Sequence, residues 1–87
     1  MKIKDGFMLR DIAGSWIVVP LGNRVVDFNG LLSLNNTGAL LWKRLQTDVS
    51  REDLLTAILD AYPIDANRAE RDLDDFLATL EKYQLVE

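Results

Sequence analysis

Apolar and polar positions near the start of the chain follow the two-residue period of β-strands. Strand candidates cover residues 7–12 and residues 15–21. Between them lies Ala13-Gly14, where glycine takes the backbone conformation of a tight turn at little steric cost. The pattern therefore predicts a β-hairpin at the start of the fold.

The next segment carries two further turn signals and one more strand. After a turn at residues 21–23, residues 25–28 can extend, and Asn29-Gly30 is typical of a two-residue hairpin turn. Residues 31–34 form the last strand, with Leu32 and Leu34 on one face and Ser33 on the other. The first part of the chain thus predicts a small antiparallel sheet of about three to four strands.

From residue 35 onwards the apolar positions follow the helical period. A first helix is expected over residues 37–46, where Asn35 or Asn36 can cap its free N–H groups. A second helix begins at Ser50 and stops before Pro63, and a third follows Asp65. Strands that lead into three helices predict an α+β fold, similar to a winged helix-turn-helix, over residues 1–87 as a single domain.

The third predicted helix has one apolar and one charged side. Its apolar stripe comprises Ala69, Leu73, Phe76, Leu77 and Leu80. The opposite side carries Arg68/Asp72 and Arg71/Asp75, pairs with the spacing that stabilises helices. The group Asp72, Asp74 and Asp75 is therefore interpreted as part of a solvated face and not as a metal or acid–base site.

Composition argues against several classes of function. The 87 residues contain no cysteine and no histidine, which removes disulfides, thiolate metal sites and the commonest general base near neutral pH. We therefore expect no enzyme activity, no metal and no cofactor. No apolar run reaches the length of about 20 residues that a membrane span needs, and the start of the chain lacks a secretory segment, so a cytoplasmic protein is expected.

Two tryptophans and one glycine are the remaining notable positions. Large aromatic residues in a small domain usually belong to the core, so Trp16 and Trp42 are interpreted as core residues in preference to interface anchors. The interpretation is stronger for Trp42 than for Trp16. Gly38 stands near the start of the first predicted helix, where its small size would let the helix approach the sheet. A packing role is expected for it.

Several of these segments together resemble the PqqD family. The similar segments are Phe7-Met8-Leu9-Arg10, Trp16-Ile17-Val18-Val19-Pro20, Leu34-Asn35-Asn36-Thr37-Gly38-Ala39 with Leu41-Trp42, and the closing helix over residues 73–85. The resemblance implies a small protein that binds the leader of a ribosomally made precursor peptide and delivers it to a separate radical-SAM enzyme. The segment at residues 22–30 departs from the members of the pyrroloquinoline quinone pathway and is closer to the broader PqqD-like group.

The resemblance also implies a location for the leader, between the third strand and the third helix. There an extended peptide would pair with the strand and place alternate side chains in a groove. The implied site consists of Leu31, Leu32, Ser33 and Leu34 on the strand with Asp72, Phe76, Thr79 and Tyr83 on the helix. Arg68 and Arg71 would meet acidic residues of the leader.

The alternative function is DNA binding by a winged helix-turn-helix regulator, with the third helix in the major groove. Charge disfavours it, since the chain has a net charge of −4. Over residues 65–85 the only cations are Arg68, Arg71 and Lys82, whereas the acids are Asp65, Glu70, Asp72, Asp74, Asp75 and Glu81. Nucleic acid and membranes are therefore not expected as partners. An enzyme is a more distant third reading, because no nucleophile and base stand together.

Overall fold

Three strands form one antiparallel sheet in the computed structural model, which describes residues 1–28 and 32–87 of the chain. They are β1 (Phe7–Ile12), β2 (Ser15–Pro20) and β3 (Leu32–Leu34), in the order β1-β2-β3. The predicted turn at Asn29-Gly30 and the predicted strand residue Leu31 lie outside the described residues.

The first hairpin closes through the predicted two-residue turn. Ala13 and Gly14 both have positive φ values, 53° and 84°. Positive φ at both central positions is the type I′ turn, whose twist matches that of the flanking strands. Ile12 and Ser15 consequently face each other at the end of β1 and β2.

Residues 24–27 form a single helical turn, α1 (Arg24–Asp27), so the predicted extended segment over residues 25–28 is wrong. Gly22, with φ 53°, reverses the chain after β2. The N–H of Phe28 then donates to the Arg24 carbonyl at 3.0 Å, and the Arg24 side chain donates from Nε to the Asp5 carbonyl at 3.0 Å. Local bonds and this anchored arginine override the strand preference of the two valines.

Three longer helices follow the sheet, which confirms the predicted α+β order. They are α2 (Asn36–Arg44), α3 (Arg51–Ala61) and α4 (Ala66–Lys82). Each begins at a predicted cap: the Asn35 side chain accepts from the Gly38 N–H, Ser50 and Asp53 form a reciprocal capping box, and Asp65 accepts from the Arg68 N–H. Among the described residues no helix is long and apolar enough to cross a membrane.

The core lies between the sheet and the three helices. Leu41, Leu45, Leu54, Ile58, Leu73 and Leu80 are fully buried in it, and Trp42 is 2% exposed. The sheet contributes Val18 and Leu32, whereas Ser33 is exposed, as the alternation of β3 predicted. Ile3, near the start of the chain, forms an isolated bridge with Val86 and completes the core beside Leu45 and Leu85.

Candidate functional site

The strand β3 is an edge of the sheet, since within the described residues it pairs only with β2. The register aligns Trp16 with Leu34, Ile17 with Ser33 and Val18 with Leu32. In an antiparallel pair, opposed residues alternate between those that exchange hydrogen bonds and those whose backbone groups point away. The register therefore decides which groups of β3 face outward.

Two observations on the other side of β2 fix this alternation. The Leu21 N–H donates to the Gly6 carbonyl at 2.8 Å, which makes Phe7 and Pro20 a pair without mutual hydrogen bonds. The two-residue turn makes Ile12 and Ser15 a bonded pair, in agreement.

Because bonded and non-bonded pairs alternate along β2, the backbone groups of Trp16 and Val18 point away from β1 and towards β3. Trp16 therefore exchanges hydrogen bonds with Leu34, and Val18 with Leu32. Ser33 opposes Ile17 in a pair without mutual bonds. The N–H and C=O of Ser33 consequently point to the free edge of the sheet.

A groove of about 200 Å³, open to solvent, runs between this edge and α4. It is lined by Ser33, Leu34, Asn35, Thr37, Gly38, Asp72, Asp75, Phe76 and Thr79. Leu34 and Phe76 supply its apolar part, and the two carboxylates stand on the helix side. Because the groove is small and open, it suits side chains of an extended peptide better than an enclosed small molecule.

Gly38 lets α2 approach both walls of the groove, which agrees with the packing role expected for it. A Cβ atom at this position would lie 3.2 Å from Leu34 Cβ, 3.3 Å from Asn35 Oδ1 and 3.4 Å from Phe76 Cδ1. The first two distances are shorter than ordinary van der Waals contacts, and the third is at their lower limit. A larger residue would push the strand, the cap and α4 apart.

The structure places the described residues of the predicted site in four different surroundings. Ser33, Leu34, Asp72, Phe76 and Thr79 line the groove together. The Leu32 side chain is buried in the core. Arg68 and Arg71 are exposed on α4 and do not line the groove. Tyr83 caps the end of α4 and lines a separate cavity, and Leu31 lies outside the described residues.

Four lining residues were absent from the predicted set: Asn35, Thr37, Gly38 and Asp75. The first three belong to the strand–helix junction, whose capping pattern was recognised as a structural signal only. Once Asn35 caps α2, the start of that helix must border the end of β3. Asp75 lies one helical turn from Asp72 and was interpreted as the partner of Arg71.

The acidic residues of α4 are not arranged as a metal site. Asp74 bonds Arg51 of α3 and raises the pKa of that guanidinium through this hydrogen bond, and Asp72 lies 3.9 Å from Arg68 Nε. Within the described residues no group of three potential ligands could hold a metal ion. The predicted ion pair of Arg71 with Asp75 is not among the ion pairs that the described residues form.

The two tryptophans differ in burial. Trp42 belongs to the core, as predicted. Trp16 is half-buried: its Nε1 donates to Asn36 Oδ1 at 3.2 Å, and the Lys43 ammonium lies 4.6 Å from the ring centroid. Trp16 therefore connects β2 to both ends of α2 at the surface, and it does not line the groove.

Comparisons with known proteins give a consistent result. One solved structure, TbiB1 in complex with the TbiA(beta) leader peptide, is 29% identical, covers 100% of this chain and 95% of its own, and superimposes with a TM-score of 0.75. Another, lasso peptide synthetase B1 complexed with the leader peptide, shares the fold at 20% identity and TM-score 0.69, over 93% of this chain and 89% of its own. A search of curated proteins finds no match.

The comparison with protein families covers most of the sequence. Residues 16–86 match the family described as coenzyme PQQ synthesis protein D (PqqD). The match begins in β2 and includes β3 and the three longer helices, and thus both walls of the groove. The chain belongs to the PqqD family.

Proposed function

We propose that this protein is a non-catalytic peptide-binding protein, which captures the leader of a ribosomally synthesised precursor peptide by adding it as a strand to β3. The observation that carries the proposal is the outward-facing backbone of Ser33 directly beside a groove with an apolar part. Unpaired strand edges are normally protected, and here the edge lies open next to a place for side chains. The two features together are what strand addition requires.

The leader would make two kinds of contact. Its backbone would exchange hydrogen bonds with the N–H and C=O of Ser33, which supply affinity without reading sequence. Since side chains alternate along an extended peptide, every second one would point towards Leu34 and Phe76 in the groove, and the others would point away from the helices. The groove would thus select the sequence of the leader.

The solved structures support the proposal through their occupants. TbiB1, which is similar over the whole of this chain, was solved with a leader peptide bound, as was the lasso peptide synthetase B1. The groove of the present chain lies between β3 and α4, where the family resemblance led us to expect the leader. The contact of Arg68 and Arg71 with acidic leader residues stays a prediction, because neither side chain lines the groove.

The enzyme that receives the leader is proposed to be a separate radical-SAM protein, which the family resemblance implies. The structural similarity to a lasso peptide synthetase B1 suggests a second class, the enzymes that make lasso peptides. The neighbouring genes distinguish the two: a radical-SAM enzyme beside a short precursor gene supports the first class, and its absence contradicts it. The peptide-binding proposal does not depend on that outcome.

Ser33→Pro tests strand addition, because proline removes the outward N–H and leaves the bonds to β2 in place. We expect the affinity for the leader of the neighbouring precursor, labelled with a fluorophore, to fall about three- to tenfold. Ser33→Ala is the matched control, since it removes the hydroxyl and keeps the N–H. Circular dichroism must show both variants folded.

Amide hydrogen exchange gives a second readout. Peptide binding should slow exchange at Ser33, while the amides of α3, no residue of which lines the groove, should not change. Normal leader binding by folded Ser33→Pro, or protection of α3 without Ser33, would refute strand addition.

A further inference from the structure

A second cavity, of about 340 Å³, lies at the C-terminal end of α4 and plays no part in the proposed function so far. Its lining is Lys4, Phe7, Arg24, Phe28, Tyr83 and Gln84. Phe28 is central to it, with ring centroids 5.5 Å from Phe7 and 6.0 Å from Tyr83. The cavity thus combines three aromatic rings with two cations and contains no acid among its lining residues.

Arg24 is held in one position by contacts along its whole side chain. Nε donates to the Asp5 carbonyl at 3.0 Å, and the guanidinium carbon lies 5.4 Å from the centroid of the Phe7 ring. A Cβ atom at Gly6 would come within 2.5 Å of Arg24 Cγ, so glycine makes room for the arginine stem. Among the acids whose side chains the structure describes, none forms an ion pair with Arg24, and its contacts hold a positive charge at the cavity.

The groove beside β3 has the opposite charge. Of the described residues that line it, only Asp72 and Asp75 are ionisable, and none is a cation. Arg68 offsets Asp72 only weakly, from 3.9 Å and with 65% of its side chain exposed. The two cavities therefore present negative charge near the middle of α4 and positive charge near its end.

The two cavities are separated along α4 by a distance that corresponds to a short stretch of peptide. Asp72, in the groove, and Tyr83, in the aromatic cavity, are about 16 Å apart along the helix axis at the usual rise per residue. An extended peptide covers this distance with about five residues. The chain leads from Phe28, in the basic cavity, through β3 to Asn35, in the acidic groove. A strand added antiparallel to β3, the commoner arrangement, would run the other way.

We propose that these two charges select the leader and set its direction. The leader carries a lysine or arginine that enters the groove at Asp72 and Asp75. About five residues nearer its C-terminus it carries an aspartate or glutamate that pairs with Arg24 in the aromatic cavity. This inference rests on the proposed function and adds to it the charge pattern of the peptide.

A displayed library of random peptides of about twelve residues tests the pattern without knowledge of the natural leader. Selection on the wild-type protein should enrich a basic residue followed, about five positions later, by an acidic one. Selection on Arg24→Gln should lose the acidic preference and keep the basic one. Arg44→Gln, which removes an exposed cation outside both cavities, should select the same peptides as the wild type.

An enriched peptide is then resynthesised with glutamine in place of its acidic residue. The wild-type protein should bind this peptide about three- to fivefold more weakly than the original peptide, whereas Arg24→Gln should bind the two peptides equally. If Arg24→Gln fails to fold, Lys4→Gln replaces it. If the enriched peptides show no basic residue followed by an acidic one, and Ser33→Pro no longer enriches them, the inference is overturned and strand addition remains supported. No enrichment on the wild type, or enrichment unaffected by Ser33→Pro, would overturn both.

Discussion

Replacing Trp42 by alanine should come close to unfolding the protein. Trp42 is 2% exposed and packs in the core with Leu41 and Leu45 of the same helical region. Truncating a buried tryptophan to alanine costs about 3 to 5 kcal/mol, from lost burial and the cavity left behind. A domain of this size has a total free energy of unfolding of about 4 to 13 kcal/mol. The substitution therefore removes a large share of the stability.

The second tryptophan provides a matched comparison. Trp16 is half-buried and contributes one hydrogen bond to Asn36 and one cation–π contact with Lys43. Trp16→Ala should lower the free energy of unfolding by about 1 to 2 kcal/mol. The chemical change is the same in both variants, so the difference in stability reports the different surroundings of the two side chains.

Thermal and urea unfolding followed by circular dichroism measure both effects. For a chain of this length each kcal/mol shifts the melting temperature by about 4 to 8 °C, so Trp42→Ala should lower it by at least about 12 °C. Trp16→Ala should lower the melting temperature by no more than about 16 °C, and by less than Trp42→Ala lowers it. A smaller decrease for Trp42→Ala than for Trp16→Ala would refute the assignment of Trp42 to the core.

Three further outcomes follow from the structure. Gly38→Ala should lower the melting temperature although alanine favours helices, because its Cβ would lie only 3.2 Å from Leu34 Cβ and 3.3 Å from Asn35 Oδ1; a higher melting temperature would show that these neighbours can shift. Hydrogen bonds from Ser50 hold the pKa of Asp53 below its usual value, so this carboxylate stabilises α3 above about pH 4 and stops doing so as the pH falls through its folded pKa. Asp53→Asn should accordingly melt below the wild type at neutral pH, with a gap that narrows in acid, and a constant gap would contradict the capping role. Duplex DNA should give no gel shift at sub-micromolar protein and physiological salt, since the acidic α4 repels phosphates; a shift that weakens steeply with salt would favour the DNA-binding alternative.

The helices and their starts could be predicted because their signals are local. The caps Asn35, Ser50 and Asp65 each bond an N–H within three residues along the chain. The apolar stripe of α4 was also visible, since burial of Leu73 and Leu80 follows directly from the helical period. The spacing together with the family resemblance also predicted Asp72, Phe76 and Thr79 along one side of α4, and all three line the groove; their contact with a peptide stays a prediction.

What could not be predicted depends on contacts between distant segments. The helical turn α1 contains two valines that favour strands, and it is anchored by the bond from Arg24 to Asp5, far back in the chain. Tyr83 has the right spacing for the groove, yet it stands at the cap of α4 and contacts Phe28 instead. The basic aromatic cavity was not expected for the same reason, because its residues come from three separate parts of the sequence.

The bridge between Ile3 and Val86 has a consequence for how the protein folds during synthesis. The Ile3 N–H donates to Leu45, the Lys4 N–H donates to Leu85, and the Glu87 N–H donates to Lys2. The contacts of Ile3 are therefore incomplete until residues 85–87 have left the ribosome, even though the hairpin and α2 are synthesised much earlier. The core closes only after translation of α4 and the segment that follows it, so a chain truncated before residue 85 would leave Ile3 and Leu45 incompletely covered.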